Sequence, residues 1–224
     1  MKLLLQSDSQ AEFSNLDLCE QSHQELLKAI QVHKPDAVIH GGDLKESYNP
    51  IDVRVAKFWV KATRQIVDTG VPFYINLGNH DRISQSRESK NWLDILRVAG
   101  ATTFTKPRIK RVADGAIAFL PYTADKALER KWAKQLAIDV QEYIGPKALI
   151  FHTEVAGALL NTFGTKAVGN DHAGLCFDKY DVCLGGHIHG FQQIGGNAFY
   201  IGSPFCQDWG EADQQKGLVL VTIE

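Results

Sequence analysis

Cysteine is scarce in this chain: there are 4 in 224 residues, at positions 19, 176, 183 and 206, and no two of them form a C-x-x-C pair. That argues against a disulfide framework, which a chain of this size does not need, and leaves free thiols suited to the cytoplasm. Long apolar runs are also missing. The opening Met1-Lys2-Leu3-Leu4-Leu5 is too short for the centre of a signal peptide. Nothing later approaches the roughly 20 apolar residues of a membrane-spanning helix, so no membrane partner is expected. Nor does one sign of charge dominate. Lys plus Arg is 24 against Asp plus Glu 26, a net charge of -2, so a polyanion would have to be gripped locally. With 44% hydrophobic and 22% charged residues, 19 Gly and 7 Pro, the composition is that of a folded globule and excludes a disordered or collagen-like chain.

Repeats, low-complexity segments and linkers are absent, so residues 1–224 are read as a single domain. Short runs rich in β-branched and aromatic residues, at 3–6, 37–40, 73–77, 116–120, 148–151, 182–184, 199–201 and 218–223, read as strands. Between them Ile51, Val55, Phe58, Ala62 and Ile66 recur at helical spacing, as do Leu128, Trp132, Leu136 and Val140. Shorter helices are expected at 24–33, ending before Pro35, and at about 90–99, after a Ser/Arg-rich loop and before Gly100. Strands alternating with helices mean α/β layering. After residue 147 the strands crowd together around Gly-rich turns, which predicts hairpins and a partly antiparallel sheet.

Polar residues collect where these strands end. Asp8 follows the first, Asp43 follows Gly41-Gly42, Asn79-His80-Asp81 follow Gly78, His152 follows Phe151, and His187 and His189 follow Gly185-Gly186. The C-terminal ends of strands in an open α/β sheet form its ligand crevice, so these residues can converge. Asp8, Asp43, Asn79, His152, His187 and His189, with Gln10 as an optional addition, offer more donors than one tetrahedral ion uses. Two divalent ions fit the count, and a mixed oxygen and nitrogen set without thiolate favours Mn, Fe or Zn over Ca, with Mn the expected ion of the three. Their charge outweighs that of the carboxylates, a surplus suited to a phosphate oxyanion.

Asp8-Ser9-Gln10, Gly42-Asp43, Gly78-Asn79-His80-Asp81, the lone His152 and Gly186-His187-Ile188-His189 resemble, in order and spacing, the motifs of the calcineurin-like metallophosphoesterases. Within that family the stretch from Phe177 to His189, and Tyr200-Ile201-Gly202-Ser203-Pro204 through Glu211 to Lys216-Gly217, look like the SbcD-type DNA-repair nucleases. The resemblance implies a four-layer αββα sandwich of two mixed β-sheets flanked by helices. It implies one ion held by Asp8, Asp43 and His189 and another by Asp43, Asn79, His152 and His187. His80 would protonate the leaving oxygen, and Asp81 would orient His80. The family's first motif is usually Asp-x-His. Gln10 stands at its third position here, and a neutral amide oxygen is a poorer ligand than imidazole, so the first ion is expected to bind more weakly. The match stops near Glu224, before the cap and the segment by which SbcD-type nucleases meet an SbcC-like coiled-coil ATPase. The expectation is therefore a stand-alone DNA nuclease without that partner, with a homodimer left open.

Other residues receive plainer readings. The basic cluster Lys106, Arg108, Lys110 and Arg111 suits either a phosphate track or a solvated edge strand. His40 reads as a buried strand residue, His23 and His33 as exposed helix residues, and Trp59 and Trp132 as core. His172, in a loop between two motifs, and Trp209, after Gly202-Ser203-Pro204, are candidate substrate contacts, while Phe205 reads as core. Two rival functions remain. One is a small-molecule or cyclic-nucleotide phosphodiesterase, which the near-neutral charge favours. The other is a non-catalytic scaffold, against which the survival of His80 and the ligand set weighs.

Overall fold

A computed structural model describes residues 1–84, 90–161 and 164–224, so residues 85–89 of the Ser/Arg-rich loop lie outside the described residues. In chain order the elements are β1 (Lys2–Gln6), α1 (Leu16–His33), β2 (Ala37–His40), α2 (Val53–Asp68), β3 (Phe73–Asn76), α3 (Asp94–Val98), β4 (Thr102–Phe104), β5 (Arg108–Val112) and β6 (Gly115–Leu120). They continue as α4 (Lys126–Asp139), β7 (Lys147–His152), α5 (His172–Leu175), β8 (Val182–Gly186), β9 (Gln192–Gln193), β10 (Ala198–Tyr200) and β11 (Val219–Thr222). Among the described residues no helix is long and apolar enough to cross a membrane.

The strands form a 5-stranded sheet in the order β11-β1-β2-β3-β4 and a 6-stranded sheet in the order β5-β6-β7-β8-β10-β9. β1 to β4 run parallel, as do β6, β7, β8 and β10, while β11, β5 and β9 are antiparallel additions at the edges. Both sheets are thus mixed, as expected. The crowding after residue 147 reflects parallel strands for the most part, because α5 and the loop after β8 carry the chain back across the sheet; among the named strands of the described residues β9–β10 is the one hairpin there, beside an isolated antiparallel bridge between Leu159 and Lys166.

Alternation along each strand sorts residues into three apolar interiors. Leu3 and Leu5 of β1, Ile39 of β2, Phe119 of β6 and Ile150 of β7 meet between the two sheets. Their neighbours Leu4 and Val38 face α1 and α2, where Leu26, Ile30, Val55, Trp59 and Ile66 cover them. Ala118, Leu149 and Phe151 face Ala133, Leu136 and Leu175 of α4 and α5. Three interiors separate four layers, and strands buried on both faces read as the continuous apolar runs seen in the sequence. Between the sheets Phe104 stacks on Phe119 with ring centroids 3.8 Å apart, and Tyr74 meets both edge-on.

Several local readings are corrected. α1 starts at Leu16 and not at residue 24, because its early buried positions include Ser22 and His23, which hide the apolar stripe. His23 is therefore buried, 3% exposed, and its Nε2 pairs with Gln65 Oε1 of α2 at 3.0 Å, whereas His33 is exposed as read. On α4 the buried face is Glu129, Ala133, Leu136 and Ala137, continuing to Val140; Leu128 is 36% exposed and Trp132 only partly buried. A carboxylate can occupy the core face because Asn170 Nδ2 donates to Glu129 Oε2 at 2.6 Å and Lys126 Nζ lies 3.5 Å from its Oε1. The basic cluster includes edge strand β5, with Arg108, Lys110 and Arg111 exposed. Phe205 packs against the first core, as read.

Candidate metal centre

The predicted strand-end residues lie on adjoining loops because the two sheets stack with their C-terminal strand ends at the same side. Asp8, after β1, accepts the His187 main-chain N–H from the loop after β8 on both carboxylate oxygens, at 2.9 and 3.0 Å. Asp43, after β2, accepts the His80 main-chain N–H at 2.7 Å on Oδ1, and its Oδ2 lies 3.2 Å from His152 Nε2 at the end of β7. Asn79 Oδ1 stands 3.1 Å from His152 Nε2 and 2.8 Å from His187 Nδ1. Asp43, His152 and His187 present ligand atoms that all lie within 4.8 Å of one another.

The loops adopt backbone that side chains rarely tolerate. Asp8, Gln10, Asp43 and His187 have φ of 52, 39, 55 and 93°, a strain of about 1–3 kcal/mol each that surrounding bonds must hold. Gly78 allows the closest approach: a Cβ there would run into the main chain and carboxylate of Asp43. Gln10 joins the site through its main chain, its N–H donating to Asp43 O at 3.0 Å and its C=O accepting from Asn15 Nδ2 at 3.1 Å.

Asp81 departs from its expected place. Its carboxylate is fully buried and accepts the N–H groups of Asp43, Leu44 and Gly78 and the Trp92 indole N–H, at 2.9 to 3.0 Å. Those donors draw it inward, beneath the loops, so it cannot orient the His80 ring. That ring turns the other way, with Nδ1 on Glu46 O, Glu46 Oε2 at 3.6 Å and Tyr48 stacked at 5.0 Å.

Carbonyls and carboxylates aim the remaining imidazoles. His152 Nδ1 donates to Gly41 O at 3.0 Å, which turns Nε2 toward Asp43. His189 Nδ1 donates to Glu211 Oε1 at 2.7 Å, and the other Glu211 oxygen takes Lys216 Nζ at 2.7 Å and Gln207 N–H at 2.9 Å. Gln207 also donates to Asp8 O at 3.1 Å. Tyr122 stacks on His187 at 6.1 Å. The sequence signals for these helpers are faint: Glu211 and Lys216 fall within the segment that resembles SbcD, while Gln207, Glu46 and Tyr122 carry none.

Burial opposes ionisation of Asp43, yet the charge of His152 and its hydrogen bond hold the carboxyl down at about 2. Burial likewise works against the His152 cation, but Asp43 raises it to about 9. Burial, then the charge of His152, pushes His187 down to about 3, which leaves that ring neutral and ready to ligate. Burial raises Asp8. A buried pair of carboxylates facing imidazoles, with an amide oxygen between, is a donor set that fits divalent cations with mixed oxygen and nitrogen preference.

Beside His187 and His189 opens a cleft of about 380 Å³, walled also by Leu160, Asn161, Glu211 and Gln214. Asp208 and Gly210 line it, but the indole between them does not: Trp209 is 95% exposed and outside the wall. His172 is set against Phe177, ring centroids 5.3 Å apart, and the main chain of Gly195, so neither predicted substrate contact is brought to the cleft.

The sequence profile of the family described as Calcineurin-like phosphoesterase matches residues 1–191. The chain belongs to that family. The family binds divalent metal ions, and in this chain Asp43, His152 and His187 are candidate ligands. Its relatives are distant. Protein 244L of Invertebrate iridescent virus 6, provisionally named a phosphoesterase, is 23% identical over 98% of this chain and 76% of its own length. The DNA double-strand break repair protein Mre11 of Methanococcus maripaludis is 24% identical over 72% of this chain, and the SbcD component of the nuclease SbcCD of Escherichia coli 23% over 88%. The matches span 42% and 58% of those two proteins. The crystal structure of TT1561 of Thermus thermophilus superposes with a TM-score of 0.55 at 12% identity, covering 90% of this chain and 89% of the other, and shares the fold.

Proposed function

We propose that residues 1–224 form a single catalytic domain that hydrolyses phosphodiesters with two divalent ions, Mn foremost, and that its substrate is DNA. The observation that carries the reading is the cluster of Asp43, His152 and His187, the first two buried and the third half-buried. One ion would be held by Asp8, Asp43 and His189, with the Gln10 amide as an optional ligand, and the other by Asp43, Asn79, His152 and His187. Such ions supply Lewis-acid polarisation of phosphoryl oxygens and activation of the attacking water. The protein's own groups do the rest. Gly41 O and Glu211 fix the tautomers of His152 and His189. His80, with Nδ1 on Glu46 O, would act as the doubly protonated ring, its Nε2–H passing to the leaving oxygen and the Nδ1–H tautomer remaining. Asp81 positions the loops instead of touching substrate. The similarity to Mre11 and to the SbcD component of SbcCD supports DNA as the substrate, and unpaired cysteines support a cytoplasmic setting.

The test is incubation of the purified protein with end-labelled single- and double-stranded DNA and Mn. Expected is cleavage that a chelator stops and that Asp43→Asn reduces by at least about 10²-fold. Cleavage surviving in Asp43→Asn would mark a contaminant and sink the reading. A small phosphodiester as substrate is favoured by one observation, the net charge of -2. Salt separates the two, because binding to a DNA backbone weakens steeply with salt, by a log–log slope of about -0.9 per phosphate contacted, and binding of a small diester does not.

A further inference from the structure

Lys45 lies two residues beyond Asp43 and is 1% exposed. An apolar side chain would fill such a place without the several kcal/mol that burying an ammonium costs, so the value of a lysine there lies in its hydrogen bonds. Its Nζ donates to the main-chain oxygens of Ser47, Tyr48 (3.1 Å), His80 and Arg82 (3.4 Å). The first pair belongs to the loop after β2, the second to the loop after β3. Asp81 makes the converse connection, since this carboxylate of the β3 loop takes N–H groups of Asp43 and Leu44 from the β2 loop. A buried cation holding carbonyls and a buried anion holding amides therefore staple the same two loops from opposite ends.

What those loops carry between them is His80. Its ring lies against Tyr48 at 5.0 Å, 20° from parallel, and its Nδ1 meets Glu46 O. A carbonyl oxygen only accepts, so Nδ1 bears a hydrogen, and the proton given to the leaving oxygen is the second one, which the doubly protonated ring carries on Nε2; its transfer leaves the Nδ1–H tautomer. Ser47 and Tyr48, whose oxygens Lys45 holds, belong to the segment that supplies both contacts, and the His80 oxygen is held as well.

We propose that Lys45 is a positioning residue for His80, fixing segment 46–48 against the ring so that His80 keeps one tautomer and one orientation. The proposal rests on the reading of His80 as proton donor to the leaving oxygen. It is tested first without catalysis. In protein labelled with ¹⁵N-histidine, held at a pH above the imidazole range, the His80 signals are assigned by their loss in His80→Ala. The parent is expected to show the Nδ1–H tautomer alone, and Lys45→Met the averaged shifts of exchanging tautomers. Unchanged His80 shifts in Lys45→Met would overturn the proposal, whether or not the protein hydrolyses anything.

Kinetics then separate positioning from general support. Lys45→Met should lower kcat by about 10²-fold for a phosphodiester with an alkyl leaving group, which needs the proton. It should change that for a p-nitrophenyl diester by less than about threefold, with KM unaltered for both. In a His80→Ala background the same substitution should add nothing. Equal losses on both esters would show a merely structural role. If circular dichroism shows Lys45→Met unfolded, Lys45→Gln, whose amide still satisfies part of the carbonyl set, is read by the same two criteria. A parent inactive on both esters defeats the phosphodiesterase reading, while the tautomer comparison still decides the role of Lys45.

Discussion

The carboxylate of Asp81 accepts N–H groups from Asp43, Leu44, Gly78 and Trp92 while buried from solvent. Replacing it by Asn puts an NH₂ group against these donors and removes the charge that strengthens each bond. Asp81→Asn is expected to lower stability by about 3 kcal/mol, read as a drop in the urea midpoint at constant slope. An unchanged midpoint would contradict the staple. Gln10 makes a second residue-scale prediction. Its side chain replaces the imidazole usual in the first motif, so calorimetric titration with Mn should resolve a tight and a weak ion, and Gln10→His should tighten the weak one by roughly tenfold or more. Equal affinities in the parent would refute the weak-site expectation. The candidate cluster of Asp43, His152 and His187 was legible in the sequence, since each stands at or just after the end of a strand, two of them directly after a glycine. Asp81 was misassigned because adjacent residues on a turn face opposite ways, and nothing in Asn79-His80-Asp81 says which one points inward.

At the scale of the element, α4 shows how a helix can be found while its face is misread. Leu128, Trp132, Leu136 and Val140 recur with the right period, yet the buried set is Glu129, Ala133, Leu136 and Ala137, with Val140 beyond, about one position further round the helix. Small residues let the helix sit close to β6, and the glutamate is accepted because Asn170 donates to its Oε2 and Lys126 Nζ lies 3.5 Å from its Oε1. Leu136→Ala should therefore cost about 2–5 kcal/mol in denaturant unfolding, whereas Leu128→Ala should stay within about 0.5 kcal/mol. The opposite order would restore the face read from periodicity. The early turns of α1 were hidden for a related reason: Ser22 and His23 are buried, His23 with a partner on α2, and a polar residue on a core face looks like a solvated one in sequence.

For the whole molecule, layering decides which groups meet water. Cys19 lies on the buried face of α1, where burial, with Asp17 adding to it, pushes the thiol up to about 12; Cys183 lies inside β8, where burial also raises it. Cys206 is exposed near the rim of the cleft. Native protein treated with a thiol-specific reagent should be modified first at Cys206, with Cys19 and Cys183 reacting only as denaturant opens the layers, as peptide mapping would reveal. Early modification of Cys183 would mean that the six-stranded sheet is less protected than the packing of α4 and α5 against it implies.

The sequence by itself determined the α/β class, most strands to within a residue or two and which polar residues stand at the strand ends, because strand alternation and strand-end motifs are local patterns. Tertiary structure decided the rest. It brought the Asp8 carboxylate to the His187 N–H across 179 positions and gave Asp81 to a loop 38 residues upstream. It also chose which nitrogen of His80 and of His189 is hydrogen-bonded, and buried Lys45 and Glu129 against expectation for charged side chains. Such choices depend on partners that strand order and sheet stacking supply, and a residue's own neighbours in the chain carry no record of them.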